Sequence, residues 1–276
     1  MKKLLLVLIM NLILLSCGRK SETNATTESN AFAVEREIFF TSLKTPDEIA
    51  SLKPGITGFD ASILNDAERF YQYTNNDVSA AANLGVYISD LNYCILLKQR
   101  ESIKKYFQAA YELSKAIKIE QRVLTFLMIR YEQNIEQNDS VKTVVNQLFS
   151  QSTTGLRGTD RERLAGIAMA GYQIENLHLA LTTLQSLPDV LTEEQAQTQK
   201  QLKQFILDQR GKFEILYNFV RANSDPLDPN ANPNYPFFDN ALRELIGVYQ
   251  NVTETDFRID ELYEKVDAIR AKIVFP

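Results

Sequence analysis

The chain has 276 residues, a formal net charge of −5, 45% hydrophobic and 24% charged residues, two cysteines, one histidine and no tryptophan. That length suits one large domain or two small ones, and a mildly acidic chain without a basic cluster excludes the electrostatic footprint of a nucleic-acid binder. One histidine and two cysteines are too few for a zinc site of the usual Cys/His kind.

At the start, Lys2 and Lys3 precede an apolar run from Leu4 to Met10 and, past Asn11, a second from Leu12 to Leu15. A basic head followed by a short apolar middle reads as a secretory signal, and it is shorter than the roughly 20 residues that span a bilayer core. The run ends in Leu14-Leu15-Ser16-Cys17, which resembles the lipobox of bacterial lipoproteins. Leu14 and Ser16 fit that pattern, while Leu15 is a less usual choice between them. The resemblance implies a signal peptide over residues 1–16, cleavage between Ser16 and Cys17, a diacylglyceryl thioether on Cys17 and an acyl chain of the palmitate type on its freed amine. More than one chain is what stable anchoring needs, at about 0.8 kcal/mol per buried methylene. A plain secretory signal that happens to end at a cysteine is the alternative. Residues 17–31 carry no large apolar side chain and read as a flexible tether. Gly18 follows Cys17 where an inner-membrane retention Asp would stand, and Arg19 and Lys20 replace an acidic surface-export tract. The resemblance therefore implies the outer membrane, with the domain on the periplasmic face.

Residues 32–276 are expected to form a single all-α domain. Phe32, Val34, Ile38, Phe39, Phe40 and Leu43 suggest a docking arm or short strand, and Thr45-Pro46-Asp47-Glu48 looks like a helix start that Lys53-Pro54-Gly55 ends. From Asp60, Ile63, Leu64, Ala67, Phe70 and Tyr71 recur at helical spacing. Helices are predicted over 77–97, 100–117, 120–136, from Ser140 onward, 160–186, 192–222, 239–251 and 256–273. Ala81, Gly85 and Ser89 lie four apart on the first of these, a strip that lets another helix come close. Pairs of amphipathic helices joined by short turns point to a helical bundle or an array of antiparallel hairpins.

Cys94 lies among Leu91, Tyr93, Ile95 and Leu96 and reads as a small buried hydrophobe. With Cys17 taken by lipid, it has no disulfide partner within the chain. Glu175-Asn176-Leu177-His178 is similar to the Glu-x-x-His of di-iron bundles, but those sites take two such motifs and the chain has one His. Ser102-Ile103-Lys104-Lys105 matches the first motif of penicillin-binding enzymes without its partner motifs and reads as a polar helix face. Asp228, Asn230, Asn232, Asn234 and Asp239 have spacing similar to a calcium-binding EF-hand loop. Pro233 stands where that loop requires Gly, and the last carboxylate is Asp, not Glu. The alternative is a rigid Pro/Asn loop with Tyr235, Phe237 and Phe238 packing inward. No cofactor is expected.

Ala82-Asn83-Leu84-Gly85, with Tyr106, Phe107 and Ala110, is similar to one hairpin of a tetratricopeptide repeat. The stretch Asn83-Leu84-Gly85-Val86-Tyr87-Ile88-Ser89-Asp90-Leu91-Asn92-Tyr93 and the later Gly171-Tyr172-Gln173-Ile174-Glu175 resemble segments of uncharacterised all-helical lipoproteins of Bacteroidetes. Asp139-Ser140-Val141 looks like the three-residue O-glycosylation signal of that group. These resemblances imply an envelope lipoprotein without naming an activity. The leading expectation is a non-enzymatic interaction or scaffold domain, bound to the membrane through lipid on Cys17 and to an envelope protein partner. The rival is an envelope enzyme or small-ligand binder whose carboxylates, Asp90 or Glu175 for example, are gathered by the fold.

Overall fold

Two helices apolar on every side form the centre of the molecule in the computed structural model, which describes residues 33–43, 60–223, 235–254, 256–257 and 259–275. The helices are α1 (33–42), α2 (Asp77–Leu96), α3 (Arg100–Ala116), α4 (Gln121–Asn134), α5 (Asn138–Thr154), α6 (Arg163–Gln185), α7 (Glu193–Ala222), α8 (Tyr235–Tyr249) and α9 (Ile259–Val274). No strand occurs among the described residues, so the all-α expectation holds. None of the described helices is long and apolar enough to cross a membrane.

Ala80 to Ile95 of α2 and Leu164 to Leu181 of α6 are buried without interruption, as befits helices with no polar face. They lie against each other through glycine. A Cβ built on Gly85 would sit 2.0 Å from the Ala168 carbonyl oxygen, and one on Gly171 the same distance from that of Ala82. The small strip expected on α2 thus does bring two backbones together. Around this pair, α3 covers α2, α7 and α9 cover α6, α8 lies on α7, and the α4–α5 hairpin flanks one side.

Short reversals connect the first helices. Lys98 (φ 56°) and Lys118 (φ 58°) take the left-handed conformation after α2 and α3. The Gln99 N–H then reaches back to the Cys94 carbonyl (2.9 Å), and the Ile119 N–H to that of Ser114 (3.1 Å), capping carbonyls the helices leave open. At the start of α7, Thr192 and Gln195 form the reciprocal bonds of a capping box.

Two expectations are corrected. Residues 33–42 form a helix, not an arm or strand. Phe39, Phe40 and Leu43 share its buried side, Phe39 stacks on Phe219 with ring centroids 3.8 Å apart, and Val34 and Ile38 face out. The segment after Asp60 is not one α-helix but two 3-10 turns, Ala61–Ile63 and Ala67–Gln72. Asp60 accepts from the Ser62 N–H (2.8 Å) and Asp66 from the Glu68 N–H (2.9 Å), and such side-chain bonds compete with a continuous helical ladder. Tyrosine hydroxyls hold this irregular stretch: Tyr87 donates to the Asp66 carbonyl (2.8 Å), Tyr106 to that of Asn65 (2.6 Å) and Tyr73 to that of Val274 (2.8 Å). Helix α8 begins at Tyr235, earlier than expected, with Phe238 buried and Phe237 partly so. The Thr45–Gly55 helix, Cys17 and its flanking residues, and Asp228 to Asn234 lie outside the described residues; Asp239 is in α8.

Candidate functional site

The central helices carry polar residues where a helix buried on all sides should have none. Ser89 and Asp90 come from α2, Glu175, Asn176 and His178 from α6, and all are buried. Buried polar groups need partners, and the fold supplies some of them across elements distant in sequence, while Asn176 Nδ2 and His178 Nδ1 have no hydrogen-bond partner among the described residues. Ser89 Oγ donates to Asn176 Oδ1 (3.0 Å). Asp90 Oδ2 accepts from the Asn65 backbone N–H (3.1 Å). Glu175 Oε2 accepts from Arg270 Nε on α9 (2.6 Å), and Arg270 Nη2 donates to the Ile63 carbonyl (3.3 Å).

Asp90 and Glu175, the two carboxylates singled out above, are therefore brought together. Both side chains are fully buried, and Asp90 Oδ1 and Glu175 Oε1 have no hydrogen-bond partner among the described residues. Burial, and next the charge of Glu175, push Asp90 well above the usual carboxylate range. Burial lowers the basicity of His178, which lies 4.0 Å from Asp267 Oδ1 on α9. The Glu175–His178 pair thus faces Arg270 and Asp267, and among the described residues no group of three or more His, Cys, Asp or Glu gathers to hold a metal.

These carboxyls have no solvent exposure, and through Arg270 and the Asn65 N–H they tie α9 and the 60–66 segment to the α2–α6 pair. Asp90 also gives stability a pH slope. Its pKa is raised above the unfolded value near 3.8, so its favourable contribution is complete below that value and is lost as pH rises through the raised one. The depressed His178 works oppositely, and its contribution is lost as pH falls below about 6.5. Asp90→Asn cannot ionise. Its stability relative to the parent, read from urea midpoints, is expected to improve as pH rises from 4 to 8, and a constant difference would show that the Asp90 carboxyl is not held above its usual range.

Arg270 escaped the sequence reading. A charged residue beside the inward stripe of Leu262, Val266, Ile269 and Ile273 was the available signal. The Cys94 thiol is buried and pushed up by that burial, as expected of a core residue. Lys105 of the Ser102–Lys105 motif is exposed and pairs with Glu68 (3.2 Å). Ser140 stands in the first turn of α5, partly exposed, beside the buried Val141.

A second feature lies on the surface. Helix α4 buries only Leu124, Leu127 and Tyr131, and its opposite side shows Phe126 (57% exposed) and Ile129 (47%). Beside Phe126 runs a groove of about 450 Å³ between Arg122, Val123 and Arg130 of α4 and Gln147 and Gln151 of α5. Arg130 donates to Gln147 Oε1 (2.7 Å) and lies 5.7 Å from the Phe126 ring centre. Arg122 bonds the nearby Glu120 (2.8 Å), an exposed pair worth little. No family model, curated protein or solved structure matches this chain.

Proposed function

We propose that this chain is a lipid-anchored envelope scaffold that binds a protein partner through the outward side of α4. The observation that carries the reading is the pairing of Phe126 and Ile129 with an adjoining groove. Single exposed apolar residues are ordinary, but two on one face beside a concave lining are what docking surfaces present. The enzyme reading draws support from the Asp90–Glu175 pair, yet both carboxyls are sealed from solvent.

Anchoring and docking are tested separately. Cys17→Ala is expected to abolish incorporation of labelled palmitate and to leave the unprocessed chain, and labelling that persists would remove the anchor. A photo-reactive amino acid at position 126 of the full chain, irradiated in intact cells, is expected to yield discrete adducts. The same probe at Val190, which is 87% exposed, should give none. Equal behaviour at the two positions would remove the docking face.

A further inference from the structure

We propose that the partner of α4 is α4 of a second copy of this chain, packed antiparallel. The inference rests on reading α4 as the docking face and adds the identity of the occupant. Arg122, Phe126, Ile129 and Gln133 are all exposed and follow one another at spacings of four, three and four residues. That is the spacing of a coiled-coil seam, and it runs on the side of α4 opposite Leu124, Leu127 and Tyr131.

Charge selects the direction. A parallel pair sets Arg122 against Arg122 and Glu132 against Glu132, whereas an antiparallel pair centred between Leu127 and Met128 sets Arg122, which already bonds Glu120 of its own helix, towards Glu132 of the other. In that register Phe126 meets Ile129 of the second copy, and Arg122 meets Gln133 and its neighbour Glu132. Two-fold symmetry makes every such contact twice. The helix also carries its charges against its own dipole. Arg122 sits in a first turn with no acidic residue, where its bond to the N-cap Glu120 offsets it, and Glu132 in a last turn with no basic one, which is mildly unfavourable alone. An antiparallel neighbour corrects both, since its Glu132 lies beside this helix's N-terminus and its Arg122 beside the C-terminus. The groove next to Phe126, lined by Val123 and Leu127 on the α5 side, adjoins this contact.

Size sets the strength. Fourteen residues make a helix about 21 Å long, a contact smaller than the roughly 800 Å² per partner of a stable complex. The pair is therefore weak in dilute solution and forms where copies are crowded, as anchoring to one membrane surface would ensure.

Cysteine pairing on the full chain in its own membranes tests the register. One copy carries Phe126→Cys and a co-expressed, differently tagged copy Ile129→Cys; Cys94 is buried and does not interfere. Mild oxidation is expected to join them, with about tenfold less product when both copies carry Arg122→Cys instead. Arg122→Glu or Glu132→Arg, added to both copies, should each cut the 126–129 product about tenfold, and combining the two should restore it. Recovery in the double reversal excludes misfolding as the cause of the losses. Absence of the 126–129 product, or a product indifferent to charge reversal, overturns the second-copy proposal. If the photo-probe at 126 then captures a different protein, the docking face stands and only its occupant is wrong. If it captures nothing, both readings fall.

Discussion

Replacing Arg270 by Met is expected to destabilise the protein by about 3–5 kcal/mol, the cost of breaking a buried ion pair from one side. The guanidinium holds Glu175 at 2.6 Å and the Ile63 carbonyl at 3.3 Å, and only 11% of its side chain is exposed, against 0% for Glu175. Without it the core contains a carboxylate next to Asp90, another acid. The chain can relieve this by binding a proton, so the loss should be larger at pH 8 than at pH 5. Glu175→Gln strands the cation instead and should cost a similar amount. Combining Arg270→Met with Glu175→Gln removes both charges and should recover much of either single loss, since the two act as one unit. Urea unfolding of the three variants reads this directly. A loss below about 1 kcal/mol for Arg270→Met would show that the cluster does not hold α9 in place.

A single methyl group should do comparable harm at the contact of the two central helices. In Gly171→Ala two effects compete. Alanine favours the helix over glycine by about 1 kcal/mol, but its Cβ would lie 2.0 Å from the Ala82 carbonyl oxygen and 2.8 Å from the carbonyl carbon. Neither atom can rotate aside, because both belong to the backbone of α2, so the helices must separate. Overpacking of this kind costs roughly 1–3 kcal/mol and occasionally more. The upper end applies here, because separation also stretches Ser89 to Asn176 and Asp90 to Glu175. A net loss of about 2 kcal/mol is expected from thermal unfolding, and Gly85→Ala should behave alike through Ala168. A variant more stable than its parent would mean that α2 and α6 do not lie as close as described.

What could be read from the sequence follows from what periodicity encodes. Most helices were legible because apolar residues recur at helical spacing, and a close approach of some helix to α2 was legible in Ala81, Gly85 and Ser89, though not that α6 makes it. The 60–72 segment misled because Ile63, Leu64 and Ala67 keep that spacing while Asp60 and Asp66 break the ladder with their own side chains. Residues 33–42 misled because Val34 and Ile38, which face outward, blur the period set by Phe39, Phe40 and Leu43. Asp90 and Glu175 stood out as carboxylates in otherwise apolar helices. Arg270 did not, because its partner is 95 residues away and only the fold joins them. On α4, Leu124, Leu127 and Tyr131 form the buried side, and Phe126 and Ile129 are the apolar residues left outside it.

The tyrosine hydroxyls on the 60–73 segment settle how the structure opens. That segment makes few backbone bonds of its own, and it is stitched to α2 through Tyr87, to α3 through Tyr106 and to the last turn of α9 through Tyr73. Asn83 of α2 adds a bond to the neighbouring Ile273 carbonyl (3.1 Å). Two stretches some 200 residues apart in the chain are therefore expected to share their amide protection. When α9 lifts, the 3-10 turns lose the Val274 acceptor and keep only their ties to α2 and α3, so they should exchange ahead of α2 and α6.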